Sequence, residues 1–231
     1  VVEGQFKTPA GHPVTFAYRE GTNDWNTLNA SLNEDEYSLP RDLSGVALDI
    51  GGYLGSVGIA LALDNPALRV VIIEPVPDNI ILIGRNLELN GLTGRFNARV
   101  HLIGGAVGRD GEEVRVRYGF QGSESVEHHA FVGNSTLAGD ATYQETSYPA
   151  IGLRRLVNDW GPIAYMKLDT EGAEWAFLNG PGLAYVQTIV GEAHAVDGHR
   201  GLDIVALLEP THHVTTYGDT DGTCEFRAVL R

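Results

Sequence analysis

The sequence predicts an α/β protein built on a mainly parallel sheet. Three observations carry that expectation. Short apolar runs recur along the chain, several of them ending at acidic or glycine-rich turns. Segments between them place apolar residues at helical rather than alternating spacing. With 231 residues, 43% hydrophobic and 20% charged, the chain is long and apolar enough for one domain with a sizeable core.

The first 44 residues are polar and mixed, with an acidic cluster Asn33-Glu34-Asp35-Glu36 before Pro40, and read as an N-terminal cap. A single domain is expected over 45–231. Residues 46–50 form a continuous apolar run around Asp49, as a strand covered on both faces reads. Gly51, Gly52, Gly55 and Gly58 follow, and a helix over 59–63 stops at Asn65-Pro66. Residues 69–73 read as a second buried strand ending at Glu74-Pro75. Pro77 and Asp78 open the next helix, whose Ile80, Ile83 and Leu87 fall at helical spacing before Asn90-Gly91 closes it. Further strands are expected over 98–103, 164–168 and 188–191, with a helix over 174–178. Strands alternating with helices make βαβ units and hence parallel pairing. Residues 113–118 and 145–151 alternate more like antiparallel strands. They enclose 119–144, which holds His128 and His129 and reads as a long loop serving as a substrate lid. At the C-terminus, 213–217 and 224–230 read as a closing β-hairpin around Gly218-Asp219-Thr220-Asp221-Gly222.

Sixteen Lys and Arg against thirty Asp and Glu leave a formal charge of −14. Phosphate contacts need a clustered basic surface, so neither a nucleic-acid partner nor an anionic membrane face is expected. The one cysteine, Cys224, excludes a disulfide framework and points to a reducing, cytoplasmic setting. The longest uncharged stretch, residues 50–63, is Gly-rich and shorter than the roughly 18–20 residues that span a bilayer. The opening residues show no basic stretch followed by an apolar core, so no signal peptide is expected.

The strongest motif is Asp49-Ile50-Gly51-Gly52-Tyr53-Leu54-Gly55, followed by Glu74 at the end of the second strand. Glycines at a strand-to-helix turn let backbone approach a ligand. An acid at the next strand end accepts hydrogen bonds from ribose hydroxyls. Together they indicate a cofactor containing adenosine. Tyr53 breaks the G-x-G-x-x-G pattern of a dinucleotide site, whereas a sulfonium cofactor bearing methionine fits. A glycine-rich turn that serves packing alone is the bland alternative.

The chain resembles the FkbM family of S-adenosylmethionine-dependent methyltransferases. The resemblance rests on the Asp49 to Gly55 motif, on Glu74-Pro75-Val76-Pro77-Asp78-Asn79, and on Asn86 through Asn90-Gly91. Gly105-Ala106-Val107-Gly108 and Met166-Lys167-Leu168-Asp169-Thr170-Glu171-Gly172-Ala173-Glu174 complete the ordered set, the last being the most distinctive, and Asn23-Asp24 and Glu36-Tyr37 upstream are weaker echoes of the family's N-terminal segment. It implies a Rossmann-like class I methyltransferase fold: a mainly parallel seven-stranded sheet, the last strand antiparallel, with an inserted antiparallel and lid segment. It further implies O-methylation of a small molecule, a sugar or secondary metabolite. On that reading the backbone of Gly51, Gly52, Tyr53 and Gly55 faces the methionine end, Glu74 the ribose, and Ala106 and Val107 the adenine, with Asp49, Pro75 and Asn79 also among the cofactor residues. Asp169 closes the cofactor set.

Methyl transfer to an alcohol needs the acceptor positioned and its proton removed. Ligands of open parallel sheets lie beyond the carboxyl ends of the strands. Asp169 follows one such end, and Glu192 and His194 another, so these three are the candidate catalytic residues. His194 is the candidate general base. The same three side chains are also a candidate site for Mg²⁺ or Mn²⁺. Plainer roles exist for each: Asp169 as a helix cap, Lys167 as an ion-pair partner, His194 as a loop histidine held by backbone. Trp25, Trp160 and Trp175 read as core or lid packing. A nicotinamide-dependent oxidoreductase and a cofactor-binding module without turnover remain the alternative functions.

Overall fold

The computed structural model describes residues 1–93, 99–119, 130–132, 143–218 and 222–231. Among these the chain forms twelve strands and six α-helices. Strands β1 (Val2–Lys7) and β2 (Pro13–Tyr18) make an antiparallel hairpin ahead of helix α1 (Asp24–Asn29) and a π-helical turn at Ala30–Glu34. Then come β3 (Gly45–Ile50), α2 (Ser56–Asp64), β4 (Leu68–Glu74), α3 (Pro77–Leu89) and β5 (Val100–Gly104). The middle of the chain supplies β6 (Glu113–Gly119), β7 (Ala130–Val132) and β8 (Tyr143–Pro149). It is followed by α4 (Leu153–Trp160), β9 (Ile163–Leu168), α5 (Glu174–Leu178) and β10 (Thr188–Ala193). Helix α6 (Ile204–Leu208), β11 (His212–Tyr217) and β12 (Cys224–Leu230) end the chain.

Seven strands form the main sheet in the order β11-β12-β10-β9-β3-β4-β5. Strands β10, β9, β3, β4 and β5 pair in parallel. The last strand, β12, lies antiparallel between β10 and β11. The expected sheet is therefore the observed one. Because successive side chains of a strand point to opposite faces, β3 and β4 feed two cores. Val46, Leu48, Ile50, Val71 and Ile73 pack on one face with Met166 and Leu168. Ala47, Val70 and Ile72 pack on the other with α2 and α3. That second core also takes Val14, Phe16, Leu28, Leu32 and Leu39 from the N-terminal segment. Burying Phe16 and Leu28 completely contributes about 1.5–3 kcal/mol each.

Several elements depart from the sequence reading. Helix α2 begins at Ser56, ahead of the expected 59, and carries Gly58 in its first turns. A Cβ at Gly58 would stand 2.6 Å from the Ile72 side chain, so glycine there brings helix and strand into contact. The β1–β2 hairpin, α1, α4 and α6 were not expected. Helix α6 has five residues and α1 six, too few for a helical period to show. Strand β5 starts at Val100 rather than 98, and residues 94–98 lie outside the described set.

The inserted antiparallel segment is present as a three-stranded sheet, β7-β6-β8. Strand β7 interrupts the stretch expected to be one long loop. The remainder of the expected lid, residues 120–129 and 133–142 with His128 and His129, lies outside the described residues. The closing hairpin pairs as expected, with 219–221 of its turn also outside that set. No helix of the described residues is long and apolar enough to cross a membrane. Cys224 is buried. Trp175 packs in the first core and Trp160 against it, whereas Trp25 on α1 is half exposed.

Candidate functional site

The five parallel strands carry their C-terminal ends to one edge, where a cleft with about 920 Å³ of empty volume opens. The turn after β3 lines it with Gly51, Gly52 and Tyr53, and the end of β4 with Glu74 and Pro75. Asn79 of α3, Ala106 and Val107 after β5, Asp49, Lys167 and Asp169 also line it, as does Tyr37 from the N-terminal segment. Of the residues expected to hold a cofactor, Gly55 alone is not in that wall. Its N–H donates to the Gly52 carbonyl, 2.6 Å, and closes the turn into α2.

Packing accounts for part of the glycine motif. Gly51 has φ 76°, and a Cβ there would lie 1.8 Å from the Asp169 carbonyl oxygen. Only glycine lets the β3 and β9 turns touch. What packing leaves unexplained is a pair of buried acids. Glu74 accepts the Val76 N–H and the Asn79 amide on Oε1, at 3.0 and 3.1 Å, and the Tyr53 N–H on Oε2 at 2.9 Å. Burial pushes its carboxyl up against those hydrogen bonds. One acceptor position remains on Oε2. Asp49 accepts the Gly58 N–H on Oδ2 at 2.8 Å, and its buried Oδ1 has no partner. Among the described residues it is the one buried side-chain polar atom in that state. Leaving such an atom unsatisfied costs about 1–3 kcal/mol, which a donor from a bound molecule removes.

The acids are braced by residues outside the expected cofactor and catalytic sets. Arg19 donates to Asp24 through its backbone N–H, Nε and Nη2, at 2.7 to 2.9 Å, and through Nη1 to Asn79 Oδ1 at 2.9 Å. Asp24 also accepts the Tyr53 hydroxyl at 2.6 Å. Tyr53 itself sits at φ 50°, a conformation non-glycine residues rarely adopt. Tethered at its N–H by Glu74 and at its hydroxyl by Asp24, it closes a ring running Glu74, Asn79, Arg19, Asp24, Tyr53. Arg19 lies in no recognisable motif; Asp24, in Asn23-Asp24, belongs to one of the weaker upstream echoes of the resemblance, which gave it no role.

A second group gathers where β9 and β10 end. Asp169 accepts the Tyr37 hydroxyl at 3.3 Å and pairs with Lys167 at 3.5 Å. Lys167 also donates to the Gly51 carbonyl at 2.8 Å. Burial opposes the lysine charge, but Asp169, Asp49, Glu192 and Glu36 hold it above its ordinary value. Asp169 is not the cap of α5, which begins four residues beyond Thr170 and has no side-chain cap. His194 is held by a carboxylate, not by backbone alone. Its Nδ1 and its backbone N–H both meet Glu174 Oε1, at 2.7 and 2.8 Å, while Thr170 and Gly172 donate to Oε2. Its Nε2 stands 3.4 Å from Glu171, 3.7 Å from Glu192 and 4.0 Å from Asp169.

Four carboxylates around one imidazole set its charge. Burial would lower the His194 pKa, but the Glu174 hydrogen bond and the charges of Glu174, Glu171 and Asp169 outweigh it and raise it to about 9. Burial and the Asp169 charge raise Glu192 to about 7, against His194 and Lys167. The three residues expected to act together are thus gathered, and Glu171 joins them.

No family model matches the chain, and no curated protein matches it. Among solved structures it is similar to the precorrin-6Y C5,15-methyltransferase of Geobacter metallireducens, at 14% identity over 94% of each chain, with a TM-score of 0.51. It is also similar to the C-terminal domain of the Rhodobacter capsulatus precorrin-6Y C5,15-methyltransferase, at 14% identity over 94% of each chain and a TM-score of 0.48. TrmK of M. capricolum, in complex with S-adenosylhomocysteine, is 9% identical over 86% of this chain and 68% of that chain, with a TM-score of 0.49. The first of these shows the fold: the chain has the Rossmann-like class I methyltransferase architecture.

Proposed function

We propose that the protein is an S-adenosylmethionine-dependent methyltransferase acting on a hydroxyl of a small molecule, of the FkbM kind that its ordered motifs resemble. The observation that carries this reading is the buried Asp49 Oδ1 without a partner, in the same cleft as Glu74. An unpaired carboxylate oxygen suits an ammonium, and the remaining acceptor position on Glu74 suits a ribose hydroxyl. S-adenosylmethionine carries both groups. A dinucleotide would instead bring a pyrophosphate beside two buried acids. A formal charge of −14 also disfavours a nucleic-acid acceptor.

When bound, S-adenosylmethionine supplies an electrophilic methyl group with a good leaving group. The chain supplies orientation and a place for the acceptor proton. Asp49 and the Gly51 to Tyr53 turn hold the methionine end, Glu74 and Asn79 the ribose, Ala106 and Val107 the adenine. At the edge of β9 and β10, Glu192 takes the proton. His194, kept cationic by Glu174 and its neighbours, holds the resulting charge cluster in balance.

Thermal shift with S-adenosylmethionine, S-adenosylhomocysteine and NAD(P) tests the cofactor. The two sulfur compounds are expected to stabilise the protein and the dinucleotides are not; the reverse result overturns the reading. Glu74→Ala is expected to weaken S-adenosylhomocysteine binding roughly ten- to a hundredfold, the loss of charge-assisted hydrogen bonds, with calorimetry as the measurement. Binding with no turnover across a broad panel of hydroxylated compounds would instead favour a module without chemistry.

The pH profile separates the two candidate proton acceptors. A base works only when deprotonated. With Glu192 in that role, kcat is expected to rise through about pH 7, the value to which burial and Asp169 bring its carboxyl. A single rise delayed to about pH 9 would assign the role to His194.

One observation favours a second route to the same step. Donor atoms of Asp169, Glu171 and His194 all lie within 4.8 Å of one another, and Glu192 approaches the same imidazole. These mixed oxygen and nitrogen donors fit Mg²⁺ or Mn²⁺, which would acidify an acceptor hydroxyl. On that route chelation is expected to abolish turnover and either ion to restore it. Activity indifferent to chelators leaves the proton with Glu192.

A further inference from the structure

A second cavity, with about 790 Å³ of empty volume, lies beside the proton edge. It shares Tyr37 with the cofactor cleft. Tyr37 therefore stands at the boundary between the two spaces. Its hydroxyl reaches Asp169 at 3.3 Å, and the Lys167 ammonium lies 5.5 Å from its ring centre. Glu192 lines the second cavity, not the first, while remaining 3.7 Å from His194 Nε2. A molecule seated here thus touches the group proposed to take the proton.

The wall has a definite charge. In the sheet, Glu192 of β10 sits directly opposite Glu225 of β12, which sits directly opposite Tyr217 of β11, so the three share one face. Like charges directly opposite each other destabilise an antiparallel pair. Glu36, from the segment before β3, brings a third carboxylate to the same cavity, against the one guanidinium of Arg227. Tyr217, 53% exposed, offers an aromatic face on which a cation rests favourably.

We infer that this cavity is the acceptor subsite and that it takes a hydroxylated amine, seating an ammonium against Glu225 and Glu36 and a hydroxyl against Glu192. The inference rests on the methyl-transfer reading and adds the substrate class to it. An acceptor bearing a phosphate or carboxylate meets net repulsion here, and a neutral polyol lacks the charge-assisted contacts.

Three matched probes test it: glucosamine, glucose and glucuronate, titrated into protein saturated with S-adenosylhomocysteine and followed by calorimetry and NMR. Saturation itself is measured first, so failure to bind S-adenosylhomocysteine counts against the cofactor reading alone. Glucosamine is expected to bind at least about tenfold more tightly than glucose, the scale of one charge-assisted hydrogen bond, and glucuronate not to bind. Glu225→Gln, on an exposed position outside the cofactor cleft, is expected to erase most of that preference without altering S-adenosylhomocysteine affinity. NMR shifts should fall on residues around Tyr37, Glu192 and Tyr217. Equal or tighter binding of glucuronate, no binding of glucosamine, or an undiminished preference in Glu225→Gln overturns the proposal.

Discussion

Glu192→Gln is expected to lower kcat by roughly 10²–10⁴, the usual range for losing a positioned base, while S-adenosylhomocysteine affinity stays unchanged. The amide keeps the size of the side chain and can still hydrogen-bond, but it cannot take a proton. Glu192 does not line the cofactor cleft, so binding there has no reason to respond. The substitution also relieves the facing charges of Glu192 and Glu225, so the fold should not weaken. Single-turnover kinetics on any acceptor the protein methylates provides the rate, and calorimetry the affinity. An unchanged rate places the base elsewhere. His194→Ala run in parallel shows whether the imidazole takes that role.

Asp24→Ala is expected to destabilise the fold by about 3–5 kcal/mol, the range for removing one partner of a buried ion pair. The Asp24 side chain is fully buried, and that of Arg19 is 13% exposed. Truncation leaves the guanidinium without its carboxylate and the Tyr53 hydroxyl without its acceptor. Urea unfolding measures the loss. Replacing both charges with apolar residues of similar size should recover much of it, because the penalty lies in the orphaned charge. Burial alone would raise the Asp24 carboxyl, but its hydrogen bonds with Arg19 and Tyr53 and the Arg19 charge hold it below the ordinary value. Its contribution is therefore present above the unfolded-state value of 3.8 and is lost as pH falls through the lower folded-state value. An Asp24→Ala protein as stable as the parent would mean that the ring of polar contacts around Tyr53 carries no energy.

How far the sequence could be read follows from which forces write themselves locally. Strands β3, β4 and β9 are buried on both faces and show as mostly apolar runs, in which Asp49 and Lys167 stand out. Helix α3 is announced by Pro77 at its start and by Asn90-Gly91 at its end. The N-terminal hairpin has half-exposed strands, and its place in the fold comes from packing Val14, Phe16 and Ala17 against α2 and α3. The turn after β3 was legible because glycine and acid stand at fixed places relative to a strand end. Much of that glycine signal proves to be packing: Gly51 is required by the Asp169 carbonyl. Arg19, Asp24 and Tyr37 reach the site from the first 44 residues, a placement only the tertiary structure makes visible. Glu174 stood within a recognised motif, but its grip on His194 depends on β9 and β10 being neighbours, as they are in the sheet.

A structure of the protein with S-adenosylhomocysteine bound is the decisive test of the cofactor assignment. The expected complex has the ribose hydroxyls on Glu74, the adenine against Ala106 and Val107, and the amino group paired with Asp49. Its sulfur should face the edge formed by Asp169, Glu192 and His194, where the methyl group would meet an acceptor. Ribose bound away from Glu74 with Asp49 Oδ1 still unpaired, or the ligand seated in the cavity beyond Tyr37, would overturn that assignment.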